Sequence, residues 1–273
     1  MSQDIRIGVA ACAGHMGRAI MAAAIAAAGV RLSAASQYAG HPAVGMDAGT
    51  LATGAPAGVS VLDDPVMLMK ACDVAIDFST PEATRRHLDA AAPATTPLVI
   101  GTTGLDGAGE AYIDTAADSL PILYAPNMSL GATLLAEFAR RIAAALDSSY
   151  DIEVLGRQHR RKVDAPSGTA LALARAAATG RGLDPARVGA TPRDGYTGAR
   201  PTDLIGMATA QGGDMLGEHS VIFAGAGERL ELTHKPSNRQ VYAAGAVRAA
   251  VWLTEQPPGR YGMADVLGLA GPS

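Results

Sequence analysis

The sequence predicts an α/β protein of two domains, a doubly wound parallel sheet flanked by helices and then a smaller α+β unit on a mixed sheet. Three observations predict it. Through the first half, short β-branched or apolar runs alternate with alanine-rich helical stretches, the pattern of parallel strands joined by crossover helices. The first apolar run leads into IGVAACAGHMGR, residues 7–18, a glycine-punctuated turn that opens a helix. After Asp147, strand-like runs follow one another without helices between them, which requires antiparallel or mixed pairing.

In chain order, residues 5–9, 30–35, 74–78, 97–100 and 121–124 read as strands, and 16–28, 81–92, 107–119 and 129–146 as helices. The strands draw on Val, Ile and Leu, which suit a sheet buried on both faces. The helices draw on Ala, which surrenders no rotamer entropy in a helix. The second half offers a strand at 150–155, a basic loop QHRRKVDAPSGTA at 158–170, a helix through Ala178, and strands at 202–211, 217–224 and 228–233. A helical stretch at 239–253 has the alanine-rich texture of the first half and is expected to pack back on it. The predicted domains are therefore 1–129 with 239–273, and 130–238.

Composition narrows the function classes. The 273 residues are 48% hydrophobic and 18% charged, ample for a core and unlike a disordered chain. Aromatics are only 4%, so the core is built from Ala, Val, Leu, Ile and Met. A net charge of -4 and a pI near 5.8 leave no global basic footprint for nucleic acid. The most apolar uncharged stretch, 19–30, is about 12 residues, against the roughly 20 that a membrane-spanning helix needs. No signal-peptide layout opens the chain, and a cytoplasmic protein without a membrane partner is expected. Cys12 and Cys72 stand far apart with no CxxC or histidine pairing, so neither a disulfide nor a metal site is expected.

The turn after the first strand is where a dinucleotide pyrophosphate meets free amides and the positive end of a helix dipole. Ala11 and Ala13 occupy positions where glycines belong in such a loop, while Gly14 and Gly17 remain. A plain strand-to-helix turn is the alternative reading of this segment alone. About 20 residues on, where an acid would hold the ribose, stand Gln37 and Tyr38; Gln37 bonds a hydroxyl without repelling a 2′-phosphate, so NADH and NADPH both stay open. Two further loops follow strands, Gly101-Thr102-Thr103-Gly104 and Ala125-Pro126-Asn127-Met128-Ser129, at the sheet edge where a nicotinamide and its ribose lie.

The densest constellation is Gln158, His159, Arg160, Arg161, Lys162, Asp164, Pro166, Ser167, Gly168 and Thr169. Basic groups run into a Ser-Gly-Thr that starts a helix, so hydroxyls and free amides make an anion site fitted to a carboxylate. A second basic, glycine-rich element, Arg193, Asp194, Gly195, Tyr196, Thr197, Gly198 and Arg200, reads as a flap or a subunit contact.

KVDAPSGTA at 162–170, with GTTG, APNMS, RDGYTGAR, GEH at 217–219 and ERLELTHK at 228–235, resembles the 4-hydroxy-tetrahydrodipicolinate reductase (dihydrodipicolinate reductase) family over nearly the whole chain. The resemblance implies an N-terminal Rossmann-type domain, a smaller substrate-binding and tetramerisation domain, and a cytoplasmic homotetramer. It implies reduction of a cyclic dicarboxylate by NADPH or NADH in diaminopimelate and lysine biosynthesis. It implies that Lys162 donates a proton or hydrogen bond as hydride arrives, that Ser167, Gly168 and Thr169 hold a substrate carboxylate, and that His159 contacts substrate. It also implies a cofactor path along Ala11, Cys12, Ala13, Gly14, His15 and Met16, past Gln37, to Gly101, Thr102 and Thr103 and to Ala125, Pro126, Asn127 and Met128.

The chain departs from the family pattern at Ala11 and Ala13 in place of the first two loop glycines, at Gln37 in place of the ribose acid, and at two positions of the catalytic segment. The histidine usually assigned as general acid is Gln158 here, and the glutamate before it is Gly156. An amide cannot deliver a proton near neutral pH, and loss of such an acid costs about 100- to 10,000-fold. Three readings stay open: a reductase in which Lys162, His159 or water supplies the proton while Gln158 orients; a reductase of another cyclic imine or unsaturated acid; or a catalytically impaired dinucleotide-binding homologue.

Overall fold

The computed structural model describes residues 4–185, 188, 195–202 and 204–269. The chain opens with β1 (Ile5–Ala10), α1 (His15–Ala26), β2 (Val30–Ser36), α2 (Ala48–Thr53), β3 (Val61–Leu62), α3 (Pro65–Lys70), β4 (Val74–Asp77), α4 (Pro81–Ala94), β5 (Leu98–Ile100), α5 (Gly107–Ala117) and β6 (Pro121–Tyr124). There follow α6 (Leu130–Ala145), β7 (Asp151–Gln158), α7 (Gly168–Arg181), β8 (Ile205–Gln211), β9 (Leu216–Gly225) and β10 (Glu228–His234). It closes with α8 (Gln240–Leu253), β11 (Gly259–Tyr261) and α9 (Met263–Val266). The chain divides into two compact units, Met1–Leu130 with Gln240–Ser273, and Gly131–Arg239.

The first unit holds a seven-stranded sheet in the order β11-β6-β5-β4-β1-β2-β3, with every described pair parallel. Alternation along each strand sorts its side chains to two cores. Ile7, Val9, Val74, Ile76 and Val99 face α1 and α8, whereas Ala10, Ala75, Leu98 and Ile100 face α3, α4 and α5. The C-terminal helix is integral to this unit. Ala243, Ala246, Ala249, Ala250 and Leu253 of α8 are fully buried in the first of these cores. Small residues permit this closeness: a Cβ on Gly245 would fall 1.8 Å from the Met128 carbonyl oxygen.

The second unit is a four-stranded mixed sheet, β10-β9-β7-β8, in which only β7 and β8 run parallel. Ile152, Val154, Val221 and Phe223 from one face pack with Leu135, Ala139, Leu173 and Ala177 of α6 and α7. The doubly wound and mixed-sheet architectures match the sequence reading.

Several details differ from it. Five elements, α2, β3, α3, β11 and α9, were not expected, because each is six residues or fewer and too short to show a period. The strand expected from 202 begins at Ile205. Strand β7 runs to Gln158, which the reading placed in a loop. Its backbone pairs with β8 as far as Gln211 and with β9 across a bulge at Arg157/Gln158, so ladder bonds outweigh the polar sequence. No helix among the described residues is long and apolar enough to cross a membrane. No cluster of metal-binding side chains occurs among them either.

Candidate functional site

In the first unit, strand order reverses at β1, with β2 and β3 to one side and β4, β5 and β6 to the other. Ligands of open α/β sheets bind at the carboxyl edge beside such a reversal. The loop from Ala11 to Gly14 lies there. Cys12 N–H bonds the Ser36 carbonyl at 3.0 Å, Gly14 N–H bonds the Ala11 carbonyl at 3.1 Å, and Arg18 N–H begins the helical ladder on Gly14 at 3.0 Å. Gly14 caps α1 without any side-chain hydrogen bond. The amides of His15, Met16 and Gly17 are thus left for an anion, and they fit a dinucleotide pyrophosphate.

Two residues decide the shape of this loop. Ala11 sits at φ +51°, the left-handed region that costs a non-glycine residue about 1–2 kcal/mol. Gly17 admits no side chain, since a Cβ there would stand 2.4 Å from the Ala11 carbonyl oxygen and 2.7 Å from Cys12 Cα.

The other expected cofactor positions divide into surface and interior. The side chains of Cys12, Ala125 and Met128 belong to the core, so only their backbones can line a cofactor path. Burial pushes the Cys12 thiol up to about 11. Gln37 Oε1 accepts the Tyr38 N–H at 3.1 Å, which leaves its amide nitrogen as the outward donor. Gly101 presses on Phe78, where a Cβ would lie 2.2 Å from the ring. Thr102 Oγ1 is buried, accepting from Ser79 N–H at 3.1 Å and from the Thr84 hydroxyl at 2.8 Å. Thr103 and Pro126 are exposed, and Asn127 Oδ1 accepts the Ser129 N–H at 2.9 Å. Ser79, which ties the loops after β4 and β5 together, was missed by the sequence reading, although its place after a strand was a usable signal.

In the second unit the basic loop folds against the ends of β7 and β8. Gly212 N–H bonds the Gln158 carbonyl at 3.0 Å, Arg160 N–H bonds Gly213 at 3.1 Å, and Gln211 Nε2 donates to the Lys162 carbonyl at 3.3 Å. Lys162 Nζ pairs with Asp164 at 2.7 Å, and this contact holds the Asp164 carboxyl below its ordinary range. Ser167 is the N-cap of α7, its Oγ accepting the Ala170 N–H at 3.1 Å. The turn therefore places Gly168 and Thr169 in the first turn of a 14-residue helix. His159 and Arg161 line a pocket of about 450 Å³ with Asp214, Glu218, Ser237 and Arg239.

Gln158 is only 6% exposed and turns inward. Its Nε2 lies 3.2 Å from His219 Nε2, and the same imidazole nitrogen lies 2.9 Å from Ser167 Oγ. Burial, then the neighbouring His234, depresses His219 to about 4, with Lys162 adding to the effect and the Gly217 backbone opposing it. His219 and Arg239 were given no role by the sequence reading. The first had a signal in the GEH motif, and the second follows a turn with none. Arg193 and Asp194 of the predicted flap lie outside the described residues, whereas Arg200 is seen pairing with Asp151 at 2.7 Å and Glu153 at 2.9 Å, so it anchors its loop to β7.

A parallel sheet with open amides at its reversal point, together with a unit that sets a lysine beside a capped helix start, defines a dinucleotide-dependent oxidoreductase. Residues 5–128 match the family profile "Dihydrodipicolinate reductase, N-terminus", and residues 131–267 match "Dihydrodipicolinate reductase, C-terminus". The chain belongs to the dihydrodipicolinate reductase family. It is 48% identical over 266 residues to the 4-hydroxy-tetrahydrodipicolinate reductase of Thiobacillus denitrificans, covering 97% of this chain and 99% of that one. To the enzyme of the same name from Anaeromyxobacter dehalogenans it is 46% identical, with 97% and 98% covered. The fold is shared with the dipicolinate-bound dihydrodipicolinate reductase from Paenisporosarcina sp. TG-14, at a TM-score of 0.76 and 24% identity over 96% of this chain and 98% of that one.

Proposed function

We propose that this protein reduces 4-hydroxy-tetrahydrodipicolinate to tetrahydrodipicolinate, with NADPH or NADH as reductant, in the diaminopimelate and lysine route. The observation that carries the reading is the Lys162–Thr169 segment, which folds as a lysine held by Asp164 followed by a serine-capped helix start. Near-full-length likeness to reductases of this name supports it.

When bound, the nicotinamide supplies the hydride. The amides of His15 to Gly17 hold the pyrophosphate, and the loops after β5 and β6 line the nicotinamide end. In the second unit the amides of Gly168 and Thr169 hold a substrate carboxylate, with His159 at the neighbouring pocket. Lys162 supplies the proton or hydrogen bond that meets the charge developing on reduction. Gln158 orients its surroundings, because an inward-turned amide has no proton to give.

The homotetramer is part of this proposal. The sheet face of the second unit opposite α6 and α7 carries Leu155, Ile222 and Ala208, all partly or fully exposed, which suits a subunit contact. Sedimentation is expected to give four times the 27.6 kDa chain mass. A cytoplasmic location follows from the same biosynthetic reading.

The test is a coupled assay in which the upstream synthase generates the unstable substrate and loss of NADPH or NADH absorbance is followed. Oxidation of at least one cofactor is expected. Well-folded protein that oxidises neither would overturn the reading. Turnover confined to other cyclic imines would transfer it to the altered specificity that Gln158 and Gly156 leave open.

A further inference from the structure

Among the described residues, His219 is the side chain that joins Gln158 to Ser167. It lies on the helix-facing side of β9, opposite Gly156 of β7 and His234 of β10, and is 4% exposed. Its Nε2 is within hydrogen-bonding distance of both the Gln158 amide nitrogen, at 3.2 Å, and the Ser167 hydroxyl, at 2.9 Å.

One imidazole nitrogen thus meets both groups, while the other ring nitrogen, Nδ1, is buried without a hydrogen-bond partner among the described residues. The Ser167 hydroxyl has one proton and two lone pairs, and one lone pair accepts Ala170 N–H at 3.1 Å. With the imidazole on one side and the Ala170 N–H on the other, the Ser167 hydroxyl is held in the orientation that caps α7. The Gln158 oxygen is directed toward Gly217, where a Cβ would lie 3.3 Å from Oε1. Burial keeps the imidazole neutral.

We propose that His219 is a positioning residue for the substrate turn, holding the Gly168 and Thr169 amides toward the carboxylate by fixing the Ser167 hydroxyl, and turning Gln158 inward through the same nitrogen. On this view Ser167 caps the turn and is itself held by His219, so the turn meets the carboxylate in one fixed geometry. Gln158 becomes part of the support of that turn. The inference rests on the reading of this turn as a dicarboxylate site.

The test uses calorimetric titration of the full-length protein with dipicolinate, a cyclic dicarboxylate that cannot be turned over, beside steady-state kinetics and thermal melting. His219→Gln places an amide oxygen near the former Nε2, whereas His219→Asn is too short to reach. His219→Asn is expected to weaken dipicolinate by about tenfold, the value of one or two lost hydrogen bonds, and to raise KM with kcat changed by less than about threefold. His219→Gln is expected to stay within about threefold of the parent. Ser167→Ala, which leaves His219 in place, should show the same loss as His219→Asn. The pair combined should lose no more than either alone. A role in folding only would lower the melting temperature of both His219 variants and leave their dipicolinate affinities equal to the parent's, which overturns the proposal. Losses that multiply in the double variant overturn it as well. Parent protein that neither binds dipicolinate nor turns over substrate overturns the functional reading and this inference together. Parent protein that does both, with His219→Asn unchanged, overturns this inference alone.

Discussion

Two helix starts, α1 in the first unit and α7 in the second, are the proposed holders of the cofactor pyrophosphate and of a substrate carboxylate, and they are constructed in opposite ways. At α1 the side chains have been removed. Gly14 makes no cap bond, Gly17 has no room for one methyl group, and Ala11 bends through the left-handed region to let the loop close. At α7 the side chains have been added. Ser167 caps the helix, His219 backs Ser167, and Gln158 backs His219, all of them 6% exposed or less. The difference suits what each start is proposed to hold. A pyrophosphate is bulky and doubly charged, so close approach of bare amides is enough and any side chain obstructs it. A carboxylate on a small ring must be aimed at a reacting centre, which requires a start whose rotors are locked by a second layer of hydrogen bonds.

The largest break in this comparison is expected at the α7 side, at its charged group. Lys162→Ala should lower kcat by about 100-fold or more, the lower end of what a proton donor contributes, while dipicolinate affinity falls far less. Steady-state kinetics beside titration checks it; parallel losses would make Lys162 a binding group only.

Next in size is an acid effect confined to the second unit. His219 has its folded pKa depressed to about 4 from an ordinary 6.5, because burial disfavours the charged ring. As pH falls below about 6.5 the unfolded chain takes up a proton that the folded chain refuses until about 4. Stability is therefore complete above that window and is lost progressively through it, by about 3 kcal/mol at pH 4. His234, also depressed by burial, acts in the same direction. Urea denaturation across pH 4 to 8 should show this slope in the parent and a shallower one in His219→Gln. No comparable slope is expected from the α1 loop, whose support contains no buried histidine.

A third test addresses the α1 side. Gly17→Ala forces a methyl group to 2.4 Å from a backbone oxygen, a contact that must be relieved by moving α1 or the loop. A loss of about 1–3 kcal/mol in stability is expected, with cofactor affinity weakened and dipicolinate affinity in the isolated titration unchanged. The smallest effect, opposite in sign, is Ala11→Gly. Relief of the left-handed alanine should outweigh the added chain entropy of glycine and stabilise by about 0.5–1 kcal/mol. Fluorescence titration should show cofactor binding no weaker than in the parent.

Much of this comparison was legible in the chain, and the unequal legibility of its halves has a physical cause. The α1 loop is a local structure. Strand, turn and helix lie within residues 5–26, so periodicity and glycine spacing reveal it. The capped start of α7 was legible for the same reason, since Ser167 and the amides it orders are adjacent. The support of α7 was not. His219 is 52 residues from Ser167 and 61 from Gln158, and no local pattern encodes a contact across that separation. Gln158 was misplaced in a loop because charged neighbours mask a strand whose polar face is open. Its alternate residues Ile152, Val154 and Gly156 are buried, and the period continues to Gln158.

Sequence alone determined the two architectures, the glycine-dependent turn into α1, and the Lys-to-Thr segment that carries the family resemblance, because each depends on spacing along the chain. Tertiary structure alone decided that Met128 belongs to the core. It alone brought Gln158, His219 and Ser167 to one nitrogen. Those facts depend on which strands pair and which faces are covered, and pairing is settled by packing over the whole unit.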